Sequence, residues 1–579
     1  LQALGAVIND DTYARRATWT PGFGYDSDVT DGGLSGEVVH DFGGAELTSI
    51  TAYRYNKWTR GTDADYNNLD ILRRAPDGTS FNRFKTFTQE LRLQGEAFGG
   101  RLDWLVGGYY ANEKLKVSDN LTFGSDYERF ANCLLINGIL PSALAPSPNP
   151  ASSCINTTVV SGTIAALQAI PPANLTPAQA QALAILPVLI ANPARPGFGS
   201  IAAALGIPSA TLNNAGLRDV YDQTSNNLAI FTHNIFDITD RLKLTVGLRY
   251  TRETKTLDAR FTDNNLICRA LFGSPLAALQ QLPCFNPSVP GGNFQPNESK
   301  RTESEFSGTA VVSYKPTDQL LAYASYSRGY KAGGFNLDRA GLTRQLVGTG
   351  AARTSGPVIA SASLDNLQFA PEINDAFEIG AKFNGRGIDI NVAAFRQVFT
   401  DFQLNTFDGT RFIVENINAC KDDLNGADTD NNPDTGVCTG DTRPGVRSQG
   451  VEFELFARPI QDVSLNIGTT FVDTRYRSNL VGTDGKALTN ALFQLSGRRL
   501  SNSSAFVGTA ALSFNPQIAS NGIRALFYVD ARHQSPFNTG SDLDLEKVQD
   551  SYTVVNGRIG IQGPDRKWAV ELWAQNLFN

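Results

Sequence analysis

The stretch Asp240–Arg252, DRLKLTVGLRYTR, decides how the chain is read. Leu242, Leu244, Val246, Leu248 and Tyr250 fall on one side of an extended segment, and Arg241, Lys243, Thr245, Arg249 and Thr251 fall on the other. An unbroken period of two makes a strand with one apolar and one polar face. A sandwich would turn the apolar face to a protein core. A membrane barrel would turn it to lipid and line its lumen with the polar face.

The connections on either side decide between the two. Turns at 42–46, 98–101, 237–240, 315–319, 383–387, 458–462, 515–522 and 563–567 are short and carry Gly, Pro, Asn and Asp. Those at about 59–82, 118–216, 263–300, 332–369, 405–443, 479–497 and 533–549 are long. Long and short connections alternate strictly, so one rim is trimmed and the other elaborated. Outer-membrane barrels show that asymmetry, with short periplasmic turns and long external loops. The same two-residue period recurs at Phe306–Tyr314, Val451–Ala457, Val463–Phe471, Ile523–Val529 and Trp568–Leu572. The fold class is therefore all-β: a transmembrane antiparallel up-and-down β-barrel, with sixteen strands expected between residues 32 and 577. Many of these exceed the roughly 9–11 residues that cross a bilayer, so a collar above the membrane is expected. Trp and Tyr near strand ends (Tyr53, Tyr55, Trp58, Trp104, Tyr109 and Tyr110) read as interfacial girdles rather than ligand contacts.

Composition agrees. The 579 residues carry 53 Gly and 10% aromatics, and no run approaches the 18 or so apolar residues of a membrane helix. The formal charge is −7 with no basic block, which argues against a nucleic-acid partner. The chain contains no Met and opens on LQALGAV, so it reads as a piece of a longer polypeptide.

Six cysteines fall as Cys133/Cys154, Cys268/Cys284 and Cys420/Cys438, each pair inside one long connection. Three local disulfides are the economical reading, and they place these loops in an oxidising compartment. Scattered free thiols are the alternative. Zinc is disfavoured, because CxxC is absent and the three His residues are far apart. Three loops stand out further. In the Ala/Pro-rich 157–216, Thr176-Pro177 before AQAQALAILPVLIA reads as an N-cap, a Pro at N1 and a short helix. The segment reads as an elaborated surface loop, with an external cap as the alternative. The loop closed by Cys420 and Cys438 concentrates Asp422, Asp423, Asp428, Asp430 and Asp434. Asp428, Asp430 and Asp434 are the candidates for a structural Ca²⁺, although the spacing is not that of an EF-hand and a solvated acidic loop is the plainer reading. Residues 332–369, rich in Gly, Ala and Ser, read as a mobile loop without chemistry.

Five motifs carry a family resemblance. YASYSRGYKAGGFN (323–336), FTQELRL (87–93), LTSITAYR (47–54), GVEFE (450–454) and the terminal WAQNLFN (573–579) occur in an order that resembles the TonB-dependent outer-membrane receptors. The resemblance implies a barrel of about 22 strands around an N-terminal plug, embedded in the outer membrane of a Gram-negative bacterium. Its partners would be lipid and lipopolysaccharide, the TonB complex, and a scarce small-molecule or metal-chelate ligand: a ferric siderophore first, or cobalamin or a glycan. On that scheme the sixteen strands are the sixth through twenty-first. Residues 1–579 form one barrel domain, incomplete at both ends, with 1–31 an external loop or partial strand, 118–216 a large external loop and 417–443 a disulfide-closed Asp-rich loop. The Asp-rich segment interrupts a stretch that is continuous in relatives. No motif identifies a ligand contact. A passive sixteen-stranded porin is the alternative function.

Catalysis is not expected. His40, His233 and His533 are isolated, no HExxH or GxSxG occurs, and Glu452 and Glu454 read as lumen charge.

Overall fold

The computed structural model describes residues 1–9, 11, 14–139, 154–285, 295–342, 346–347, 354–355, 363–407, 412–422, 438, 440–488 and 490–578. Sixteen long strands form the wall: β1 Ser27–Asp41, β2 Ala45–Arg60, β3 Phe81–Ala97, β4 Leu102–Phe123, β5 Gly216–Thr239, β6 Leu242–Asp263, β7 Ser299–Thr317, β8 Leu320–Lys331, β9 Glu372–Gly385, β10 Ile388–Thr400, β11 Val446–Ala457, β12 Val463–Tyr476, β13 Phe506–Phe514, β14 Arg524–Gln534, β15 Tyr552–Gln562 and β16 Ala569–Ala574. Each pairs antiparallel with the next, from β1 through to β16. Among the described residues, β1 and β16 each have a single neighbour. Short and long connections alternate as the sequence requires.

The apolar faces point outward. Along β5, Leu228 and Ile230 are 57% and 63% exposed, whereas Ala229 between them is 1% exposed. On β6, Val246 and Leu248 are exposed, and so are Phe306, Phe377, Ile379, Val451 and Phe471 around the wall. An exposed apolar band of this extent requires a non-aqueous surrounding. In the longest strands, β4 to β6, the exposed Val106, Leu228, Ile230, Val246 and Leu248 lie in the half nearest the short turns. In the other half the strands run on well past what a bilayer needs, to 22 residues in β4 and 24 in β5.

Buried apolar residues are therefore gathered in the long connections and at the strand ends on which these pack. In the excursion after β4, helices α1 Tyr127–Ile139, α2 Thr157–Gln168, α3 Pro177–Ile190 and α4 Phe198–Ala204 pack Ile136, Leu186, Leu189 and Phe198 into one cluster with Phe123 and Ile267. α3 begins where the sequence places it. The Thr176 hydroxyl accepts from the Gln179 amide, the Gln179 side chain accepts from the Thr176 amide, and Pro177 sits at N1. All three disulfides close, Cys133–Cys154, Cys268–Cys284 and Cys420–Cys438.

Four sequence readings need correction. The excursion after β4 is 124–215, because pairing with β5 continues to Thr122. β1 starts at Ser27, ahead of the expected residue 32 and within the stretch read as an external loop or partial strand. Residues 405–443 are not all loop: Phe402–Phe407, Phe412–Cys420, Thr442–Pro444 and Leu480–Val481 pair into a small external sheet, for which a broken alternation gave no strand signal. The girdle reading fails for Trp58, which alternation puts on the face of β2 opposite the exposed Tyr53, and for Tyr109. Side chains alternate, so Tyr109 and its neighbour Tyr110 cannot both face lipid. Tyr110 is exposed outside, and Tyr109 lies under Arg249 on the lumen side.

Candidate functional site

The lumen face of each strand carries the polar set. Midway down the wall the Arg249 guanidinium lies 5.4 Å from the Tyr109 ring centre and 5.6 Å from that of Phe231. Gly107 makes room for this stack, since a Cβ there would lie 2.4 Å from the Phe231 ring. Nearer the external end, Glu253 accepts from Ser225 and Asn227 and pairs with Lys255 at 2.7 Å. On the adjacent strand Arg301 pairs with Glu303 at 2.9 Å.

These groups hold the connection after β8 over the mouth. Lys255 donates to the Gly333 carbonyl at 2.7 Å, and the Gly333 amide donates to Glu303 at 2.9 Å. Beyond them Phe335, Leu342, Leu364 and Leu367 pack on Tyr221, Leu257 and Phe261, which are lumen-side residues of β5 and β6. Arg339 closes the arrangement. Its guanidinium is buried against Asp219, near Asp263 and 5.1 Å from the Phe261 ring centre. The segment read as a mobile loop without chemistry is thus anchored at both described ends. The stretch carries three arginines, and nothing in the sequence singles out Arg339, whose partner lies 120 residues away.

From the opposite wall, the connections after β10 and β12 lean in and pack Leu404, Ile417, Leu480 and Leu488 on Val446 and Tyr476. The two sides meet through amides. Asn336 donates to the Val414 carbonyl at 3.0 Å and accepts from its amide at 2.7 Å. Asn416 bridges the Ala370 amide and carbonyl. Between them lies a polar cleft of about 370 Å³, with Arg301 and Lys486 as its cations, Glu415 as its carboxylate, and Asn366, Gln368 and Asn416 as its amides. This cleft is the candidate ligand contact, and no motif in the sequence pointed to it.

A second external group lies in the connection after β2. Asp65 accepts from the Ile71 and Leu72 amides, and Asp63 from those of Asp65, Tyr66 and Thr20. Burial, followed by the Asp63 charge, pushes the Asp65 carboxyl up to about 6. The calcium candidates Asp428, Asp430 and Asp434 lie outside the described residues. Asp422 sits beside Cys420 and Cys438, but both sulfurs are used in the disulfide, which leaves no ligand set there among the described residues. The three histidines stay apart: His40 packs on Phe42, His533 bonds the Thr553 hydroxyl, and His233 sits on β5 opposite Gly247. Glu454 accepts from Asn391 on the lumen side.

Residues 192–577 match the family model described as TonB dependent receptor-like, beta-barrel. The chain belongs to the TonB-dependent receptors. Among solved structures, this receptor barrel is similar to the ferric yersiniabactin uptake receptor FyuA from Yersinia pestis, with a TM-score of 0.55 and 14% identity, covering 95% of this chain and 56% of that one. It is also similar to the closed form of the ferric-catecholate import receptor Fiu from K12 E. coli, with a TM-score of 0.50 and 14% identity, covering 97% of this chain and 61% of that one. At that identity the likeness concerns the fold. The receptor barrel described here spans less than two thirds of the length of either protein.

Proposed function

We propose that this chain is the barrel wall of an active-transport receptor in the outer membrane of a Gram-negative bacterium, taking up a scarce ligand with energy from TonB. A ferric siderophore is the first choice, and cobalamin or a glycan the alternatives. The observation that carries the reading is the mouth. Three long connections lean over the lumen, are anchored by Arg339, Asn336 and Asn416, and enclose a polar cleft holding Arg301 and Lys486. A passive pore gains nothing from such a cleft. A receptor for an anionic chelate gains two cations and several amide donors that would otherwise remain solvated.

The chain's own part in the mechanism is capture. Ligand anions displace water around Arg301 and Lys486, while the Glu303 and Glu253 carboxylates hold Arg301 and Lys255 in place. Ligand contact with Asn416 competes with its hydrogen bond from the Ala370 amide, and contact with Gln368 competes with its hydrogen bond to Ser299 on β7, which links occupancy to loop position.

The test is uptake of labelled ferric catecholate, hydroxamate and citrate chelates and of cobalamin by cells carrying or lacking the full-length gene. Saturable uptake of one ligand that vanishes in TonB-deficient cells supports the receptor. Non-saturable permeation of small solutes that is indifferent to TonB would replace it with the porin reading.

A further inference from the structure

The outer wall of β2–β4 carries five cations on two successive rungs. Lys57 faces Arg83, and Arg83 faces Lys116. One rung closer to the periplasm Lys85 faces Lys114, with Tyr55 beside Lys85. All five share the face that exposes Tyr53, Phe87 and Tyr110. Like charges directly opposite one another across a ladder are destabilising. Among the described residues, a single carboxylate offsets them, Asp222, at 2.8 Å from Lys116. Lys57 and Arg83 instead approach the Phe81 ring, at 5.4 and 6.0 Å.

Depth gives this excess charge a meaning. The next rung toward the periplasm is Tyr53–Phe87–Asn112, and aromatic side chains of this kind mark the membrane–water boundary. One rung is about 7 Å, so the cations lie at headgroup depth, on the side of the long connections. We propose that this face binds the phosphates of a lipid headgroup in the outer leaflet, which bridge cations that otherwise repel. Two ammonium groups on adjacent strands at one level can share one phosphate, and Arg83 adds a planar fork for a second. This rests on the outer-membrane reading above and adds the site on the wall and the lipid phosphates as the groups it holds.

The test uses the full-length receptor purified in detergent, with bis-phosphorylated lipid A as probe, dephosphorylated lipid A as its control and inorganic phosphate as competitor. Heat-modifiable gel mobility first establishes that each protein is a closed barrel. The wild type should retain phosphorylated lipid A, K85Q/K114Q should retain about 30-fold less, and millimolar inorganic phosphate should not displace it. Without lipid, K85Q/K114Q should melt higher than wild type, because repulsion is relieved. Equal retention by the two proteins, equal retention of dephosphorylated lipid, displacement by free phosphate, or a lower melting point for the lipid-free variant would each overturn the proposal. Retention of an acidic protein in place of the lipid would do so as well. A wild type lacking heat-modifiable mobility would instead remove the membrane-barrel reading on which the proposal rests.

Discussion

Arg339 reaches across 120 residues of sequence to place its guanidinium on the carboxylate of Asp219, and both side chains are more than nine-tenths buried. The Nε–H donates to Asp219 at 3.3 Å, and the terminal nitrogen also donates to the Thr262 carbonyl at 3.2 Å. One cation therefore ties the connection after β8 to two neighbouring strands of the wall.

Removing it leaves Asp219 buried without its partner. Breaking a buried pair from one side costs about 3–5 kcal/mol. R339A should release the connection locally, raising hydrogen exchange at the Asn336 amide, which donates to the Leu367 carbonyl. R339K should restore little, since an ammonium cannot serve Asp219 and Thr262 in the same fork. Unchanged exchange in R339A would show that the apolar contacts hold the connection unaided.

Gly107 and Gly108 are neighbours with opposite surroundings. A Cβ on Gly107 meets the Phe231 ring and the Leu91 carbonyl, whereas one on Gly108 has its nearest atom at 3.8 Å. G107A should cost about 1–3 kcal/mol in urea unfolding, and G108A should lie within experimental error of wild type. Equal costs would mean that Phe231 and Arg249 do not hold the stacked arrangement.

Asp65 carries the pH dependence of the connection after β2. Its carboxyl is raised to about 6 from an ordinary value of 3.8, so the folded connection binds the proton more tightly than the unfolded chain does. That stabilisation is complete below about 3.8 and is lost as pH rises through about 6. Hydrogen exchange at the Ile71 and Leu72 amides, corrected for intrinsic rate, should show less protection at pH 7 than at pH 5. D65N should flatten the difference, and an unchanged slope in D65N would assign the titration elsewhere.

Each disulfide closes a short external segment, with separations of 21, 16 and 18 residues. Loop-closure entropy makes each worth about 3 kcal/mol to its own segment. C133S/C154S should therefore speed proteolysis between α1 and α2 while leaving heat-modifiable mobility intact. Loss of the barrel itself would show that the helical cluster is needed to close the wall.

The wall was legible because lipid outside and water inside impose a period of two on every strand, as Asp240–Arg252 shows. Loop lengths supplied the orientation, and Thr176-Pro177 supplied α3. The mouth was not legible, because its contacts obey no period. Arg339–Asp219 and Asn336–Val414 join residues 120 and 78 positions apart. α1 and α2 lie in a stretch with almost no charge contrast, where a helical period has little to stand on. The basic rungs were also hidden, because Lys57, Arg83 and Lys116 become neighbours only once the register is known.

Neighbouring residues of β6 face different solvents. All six cysteines are in disulfides, so a single nitroxide attached to a cysteine introduced at each position from 244 to 250 reports on one site at a time. In the full-length receptor reconstituted in lipid, labels at 246 and 248 should be relaxed by membrane-dissolved oxygen, and labels at 245, 247 and 249 by a water-soluble nickel chelate, in strict alternation. Labels at 246 and 248 that answer to the nickel chelate as strongly as those at 245 and 249 would contradict it.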